Sequence, residues 1–145
     1  MNWFWPLHPK FVHFPVALLL TGSVLALLYL FGLRRSGWPT VIWALLGLGW
    51  VTLFTAILTG LVDRNAAGDE AAVVALLNPH IAAGFGLLMV YGWLLYERLR
   101  QPAALDLAAK RGLLLGLLLL GAALLLYEGW LGGKLVFELG VGVGR

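Results

Sequence analysis

Three histidines offer the most chemistry in this chain, and all three stand at the mouths of apolar runs. His8 and His13 lie in Leu7-His8-Pro9-Lys10-Phe11-Val12-His13-Phe14-Pro15, ahead of the first run, and His80 follows Pro79 at the head of another. Neutral imidazole is a good ligand for haem iron and for zinc, copper or nickel. His13 and His80 are the deepest, each about one turn or less inside its run, on different helices and at the same bundle end. They are therefore expected to ligate a b-type haem iron axially, with the macrocycle wedged among apolar helices. His8 is the alternative ligand or a close partner. Each ring N–H then needs an acid or a carbonyl to hold it, and Asp63 and Glu128 stand at the right depth.

Two other readings compete with haem. A non-haem metal ion would combine His8, His13 and His80 with Asp63 or Glu128, and imidazole leaves the metal undecided. A structural role is the other, because a histidine beside proline at a helix start can cap backbone groups or sit at the membrane interface. Neither an HExxH pattern nor a Glu-x-x-His pair occurs, so familiar hydrolase and di-iron arrangements are missing. A two-haem bundle would need axial pairs at two depths, which three histidines on one side do not supply. The absence of cysteine excludes disulfides, thiolate-bound clusters and covalently attached haem.

The elements that must position these residues are membrane helices. The chain has 145 residues, 61% of them hydrophobic and 12% charged, and a mean hydropathy of +0.92. A soluble domain carries roughly a quarter charged residues. The fold class is therefore an all-α integral membrane protein, a single four-helix transmembrane domain over residues 1–145. Apolar runs place the spans at about 11–31, 40–62, 79–97 and 112–131, each near the 20 residues a bilayer demands. Asn2 to Pro6, with Trp3 and Trp5, reads as an interfacial segment without the positive charge of a signal peptide, and insertion without cleavage is expected. Asp69-Glu70 ahead of Ala71 to Leu77, with Asn78-Pro79 as a stop, predicts a short surface helix between spans two and three. The tail 132–145 is too short and glycine-rich for a fifth span and is expected to fold back over the bundle end.

Charge sets the expected orientation. Arg34, Arg35, Arg98, Arg100, Lys110 and Arg111 fall in the two loops on one side, against Lys10, Arg64, Lys134 and Arg145 on the other. The positive-inside rule then places both termini, and all three histidines, on the outer side of the cytoplasmic membrane. The net charge of +3 follows from topology, and no Lys/Arg-rich stripe suggests nucleic acid. The pairs Trp38/Trp43 and Trp93/Tyr96 read as interfacial belts.

The opening Leu7-His8-Pro9-x-x-Val12-His13-Phe14-Pro15-Val16-Ala17-Leu18 resembles a bacterial membrane-protein family catalogued as domain of unknown function 2231. Gly60-x-x-Asp63, His80 at the head of span three, and Gly132-Gly133-Lys134-Leu135-Val136-Phe137 before Gly140-Val141-Gly142-Val143 agree with it. The resemblance covers nearly the whole chain. It implies a four-span bundle with its recognisable residues His8, His13, Asp63 and His80 at the outer end, and a setting beside redox modules such as c-type cytochromes. It implies no established activity.

The expected function is electron transfer by a small b-type cytochrome-like protein, with a redox partner on the outer side, rather than stand-alone enzymatic catalysis. The alternative from another class is a cofactor-free structural subunit of a larger respiratory or photosynthetic complex. Transport ranks below both, since no charge or broken helix lies near the midplane. Glycine-rich faces also suit a homodimer in the lipid bilayer.

Overall fold

The computed structural model describes residues 8–142, so the expected interfacial segment Asn2 to Pro6 and the last three residues lie outside the described part. One helical turn, α1 (His8–Phe11), precedes α2 (His13–Leu30), and the long helices α3 (Trp38–Asp63), α4 (Ala71–Arg100) and α5 (Ala108–Phe137) follow. The four long helices are each apolar and long enough to cross a membrane. Packing pairs α2 with α3, α3 with α4, α4 with α5 and α5 with α2, which closes a four-membered ring of helices, while α1 lies against α3.

The helix boundaries follow from local chemistry. Pro15 sits in the first turn of α2, where a missing N–H costs nothing because those donors have no helical partner. At the far end of α2 the chain must reverse. Gly32 takes φ +112°, and the Leu33 N–H returns to the Leu28 carbonyl at 3.0 Å, an arrangement that a β-carbon would oppose. Pro39 lies in the first turn of α3.

The stretch Ala71 to Leu77 does not form a separate surface helix. It is the first two turns of α4, which runs through Pro79 for 30 residues. Only a 3-10 turn, Arg64–Ala67, lies between α3 and the start of α4. Proline removes one helical hydrogen bond, yet membrane helices accept this when neighbouring groups compensate. The compensation here is packing: Val73 and Leu77 are buried against Leu135 of α5, with Leu139 and Val141 of the tail added. The same contact explains a second difference. The fourth helix continues past residue 131 to Phe137, and the tail folds back only beyond it, where the Val141 N–H meets the Leu135 carbonyl at 2.9 Å.

In lipid the helices gain little from hiding apolar surface, so close packing and hydrogen bonds carry the association. Small residues at the crossings permit it. A β-carbon at Gly49 would lie 2.7 Å from Leu19 Cγ and 3.1 Å from the Leu19 backbone nitrogen, and one at Gly121 would lie 2.8 Å from Tyr91 Cζ. Tyr91 is fully buried at mid-bundle, and its hydroxyl shares a 2.8 Å hydrogen bond with Ser23 Oγ across the core.

The arginine-rich end is tied by polar contacts. Tyr29 OH donates to Asp106 Oδ1 at 2.6 Å. Lys110 of α5 meets the buried Glu97 of α4 at 2.8 Å, and the Arg98 guanidinium lies 6.0 Å from the Trp43 ring centre. The opposite end carries the histidines.

Candidate functional site

His8 opens α1 and is held twice by α3. Its backbone N–H donates to Asp63 Oδ2 at 2.9 Å, and its ring Nδ1 lies 2.8 Å from the Ala56 carbonyl oxygen. A carbonyl can only accept, so the proton sits on Nδ1 and Nε2 keeps a free lone pair. Ala56, Gly60 and Asp63 recur at helical spacing and share one face of α3. Between the two anchors, a β-carbon on Gly60 would lie 2.9 Å from His8 Nδ1. The bare glycine is what lets the ring approach α3 this closely. Gly60→Ala is therefore expected to displace the His8 ring and break its bond to Ala56. His8 Nδ1–H resonances, protected from exchange in the parent protein, would report the loss.

His80 occupies the first half of α4, and its Nδ1 lies 3.3 Å from Glu128 Oε1 of α5, with both side chains largely enclosed, 14% and 17% exposed. The alignment falls short of a hydrogen bond. His80 Nδ1 and Glu128 Oε2 are both buried without a hydrogen-bond partner among the described residues. Two glycines shape this half as well. A β-carbon on Gly132 would meet His80 Cε1 at 3.5 Å, and one on Gly84 would meet Glu128 Oε1 at 3.5 Å.

The two halves meet. The His8 and His80 ring centroids are 5.9 Å apart, with their planes at 87°. Each ring turns its Nδ1 edge to its own acceptor and glycine, His8 to α3 and His80 to α5. Nε2 is then the nitrogen that His8 has left for a ligand, and in His80 it is the nitrogen not facing Glu128. Two imidazoles bound to one metal at about 2 Å place their centroids roughly 5 Å apart at a tetrahedral angle and roughly 6 Å apart on opposite sides of the metal.

His13 is exposed in the first turn of α2. It lies five positions beyond His8, which in nearly continuous helix turns it roughly 140° away, so the two side chains address different surroundings. Asp63, read from the sequence as a holder of a ring N–H, instead holds the His8 backbone. Glu128 does face a histidine ring. The Ala56 carbonyl left no trace in the sequence, since every residue carries one. Among the described residues, no group of three or more His, Asp and Glu side chains is arranged to hold a metal ion.

Burial is the strongest influence on His8 and pushes its pKa below the ordinary 6.5. The neighbouring His80 pushes the same way, while the Ala56 carbonyl and the charges of Glu128 and Asp63 oppose it. The sign follows from linkage. A histidine harder to protonate when folded binds fewer protons than the unfolded chain, so acid favours unfolding. Stability is expected to hold above pH 6.5 and to fall as the pH drops through and below that value. Thermal melts of detergent-purified protein from pH 8 to about pH 5 would show it, and His8→Gln would flatten the slope.

The family model for a membrane protein of unknown function, DUF2231, matches residues 5–145. The chain belongs to the DUF2231 family. The match includes the histidine-rich opening, Gly60, Asp63, His80 and the glycine pair after Trp130, so the whole site lies within the DUF2231 region. The family description, a predicted membrane protein, names no activity. No curated protein and no solved structure matches the DUF2231 chain.

Proposed function

We propose that this DUF2231 chain is a small b-type cytochrome-like membrane protein for electron transfer, in which His8 and His80 would hold the haem iron. The observation that carries this reading is the His8–His80 pair: ring centroids 5.9 Å apart, planes at 87°, His8 Nδ1 on the Ala56 carbonyl and His80 Nδ1 facing Glu128. The donor set suits the group. A porphyrin brings four nitrogens of its own, so two imidazoles complete six-coordinate iron, whereas a bare zinc ion takes about four ligands from its surroundings. His80 was the expected ligand on α4. On the N-terminal side the ligand would be His8 and not His13, because His8 is the ring adjoining His80.

Bound there, haem iron would supply one-electron chemistry. The chain's own residues do the rest. Ala56 holds the His8 ring by its Nδ1, Glu128 lies against the Nδ1 side of His80, and Asp63 fixes the backbone that presents His8. We read the histidine end as the outer one, on the strength of the six cations clustered in the opposite loops. An electron carrier at that end would serve a redox partner outside the membrane.

Hemin titration into the detergent-purified apoprotein tests the reading. Saturation at one haem per chain, with a red-shifted Soret band and sharp α and β bands on reduction, is the expected result. A spectrum that stays that of free hemin would refute it and favour the structural-subunit alternative.

A further inference from the structure

The two rings of the His8–His80 pair are held by unlike groups. His8 Nδ1 meets the Ala56 carbonyl, a neutral acceptor, at 2.8 Å. His80 Nδ1 faces the carboxyl group of Glu128 at 3.3 Å. The second oxygen of that group, Oε2, is buried with no partner among the described residues. A carboxylate here has little water, and its contact at 3.3 Å is with the His80 ring, while its field also reaches His8. Asp63 has a different task, since its oxygen is taken by the His8 backbone N–H. Glu138 lies ten residues further along the chain and pairs with Lys134 at 3.5 Å on an exposed surface.

We infer that Glu128 is a positioning residue that sets the reduction potential of the centre through His80. This deepens the haem reading and rests on it. A negative carboxylate beside the ring raises the electron density of the imidazole, which makes Nε2 a stronger electron donor. Negative charge and a more basic ligand both favour the more positive, oxidised iron. The low-dielectric surroundings enlarge the effect. The neutral Ala56 carbonyl does less for His8, which Glu128 reaches by its field alone, so the two imidazoles are inequivalent and His80 is the more strongly tuned one.

The test is a redox titration of the hemin-loaded protein, in the parent and in Glu128→Gln, with Glu138→Gln as the control. Glutamine keeps the size and an acceptor oxygen but removes the charge. The midpoint potential of Glu128→Gln is expected to rise, by about tenfold in the reduction equilibrium or 59 mV for one electron. Six-coordinate spectra should be retained. Glu138→Gln should leave the potential where it was. An unchanged potential in Glu128→Gln, with haem bound as in the parent, would overturn the inference and leave the haem reading standing. If Glu128→Gln takes up no haem, Glu128→Asp decides: recovery of binding and of the parent potential supports a charged group acting on His80, and binding with a raised potential overturns it. Failure of the parent itself to bind haem would instead remove the reading beneath.

Discussion

Replacing His80 with alanine is expected to abolish stoichiometric haem binding. His80 faces His8 across 5.9 Å, and no other histidine lies on α4. Loss of a group that merely supports a metal ligand already costs about 10–100-fold in affinity, so loss of the ligand itself is expected to weaken hemin binding by more than about 100-fold. His8→Ala should behave alike. His13→Ala should bind hemin as the parent does, because His13 is exposed on α2. Hemin titrations of the three variants followed at the Soret band separate them. The contrast between His8 and His13 is the informative part: loss in His13→Ala with retention in His8→Ala would return the ligand to α2.

The second large effect concerns the fold. Gly49→Val should loosen the bundle, because α2 and α3 touch backbone to backbone there. The first added carbon would already lie 2.7 Å from Leu19 Cγ and 3.1 Å from the Leu19 nitrogen. Leu19 is fully buried, so its side chain has no free space to enter. Overpacking of this kind costs about 1–3 kcal/mol, and valine adds two methyl groups to the clash. Gly47 and Gly116 supply the comparison, since nothing lies within 4 Å of a β-carbon at either. Ala at those positions should unfold at the parent temperature in detergent, and Gly49→Val well below it.

The four spans were legible in the sequence because a bilayer imposes length and composition on each one separately. Their ends were less so. Asn78-Pro79 reads as a stop, and locally it is one. The helix passes through it because Leu77 and Val73 reach Leu135 on another helix, a contact between residues nearly 60 positions apart that no local signal announces. The glycine-rich tail misled for a similar reason. Gly132 and Gly133 weaken a helix in isolation, but Gly132 lies close to His80, and α5 continues through both to Phe137.

The site was legible in residue type and depth, and less so in pairing. His80 and Glu128 were marked, and they do meet. Choosing between His8 and His13 was beyond the sequence, because it depends on how far helical geometry persists through Pro9 and across Val12. Depth favoured His13, while rotation about the helix axis turned His8 inward. The glycine at position 60 carried the clue in its spacing from Asp63, since a bare helix face three residues from an acid is where an N-terminal ring could lie. The Ala56 carbonyl that orients the ring carried none.

Low-temperature electron paramagnetic resonance of the oxidised, hemin-loaded protein reads whether the His8 and His80 imidazoles hold one iron with crossed planes. Two imidazoles near the observed 87° leave the iron low-spin with a strongly anisotropic signal. That signal should be present in the parent and in His13→Ala, and absent from His8→Ala and His80→Ala. A high-spin ferric signal from the loaded parent protein would mean that the two rings do not hold the iron together, and would rule out the His8–His80 pair as its ligands.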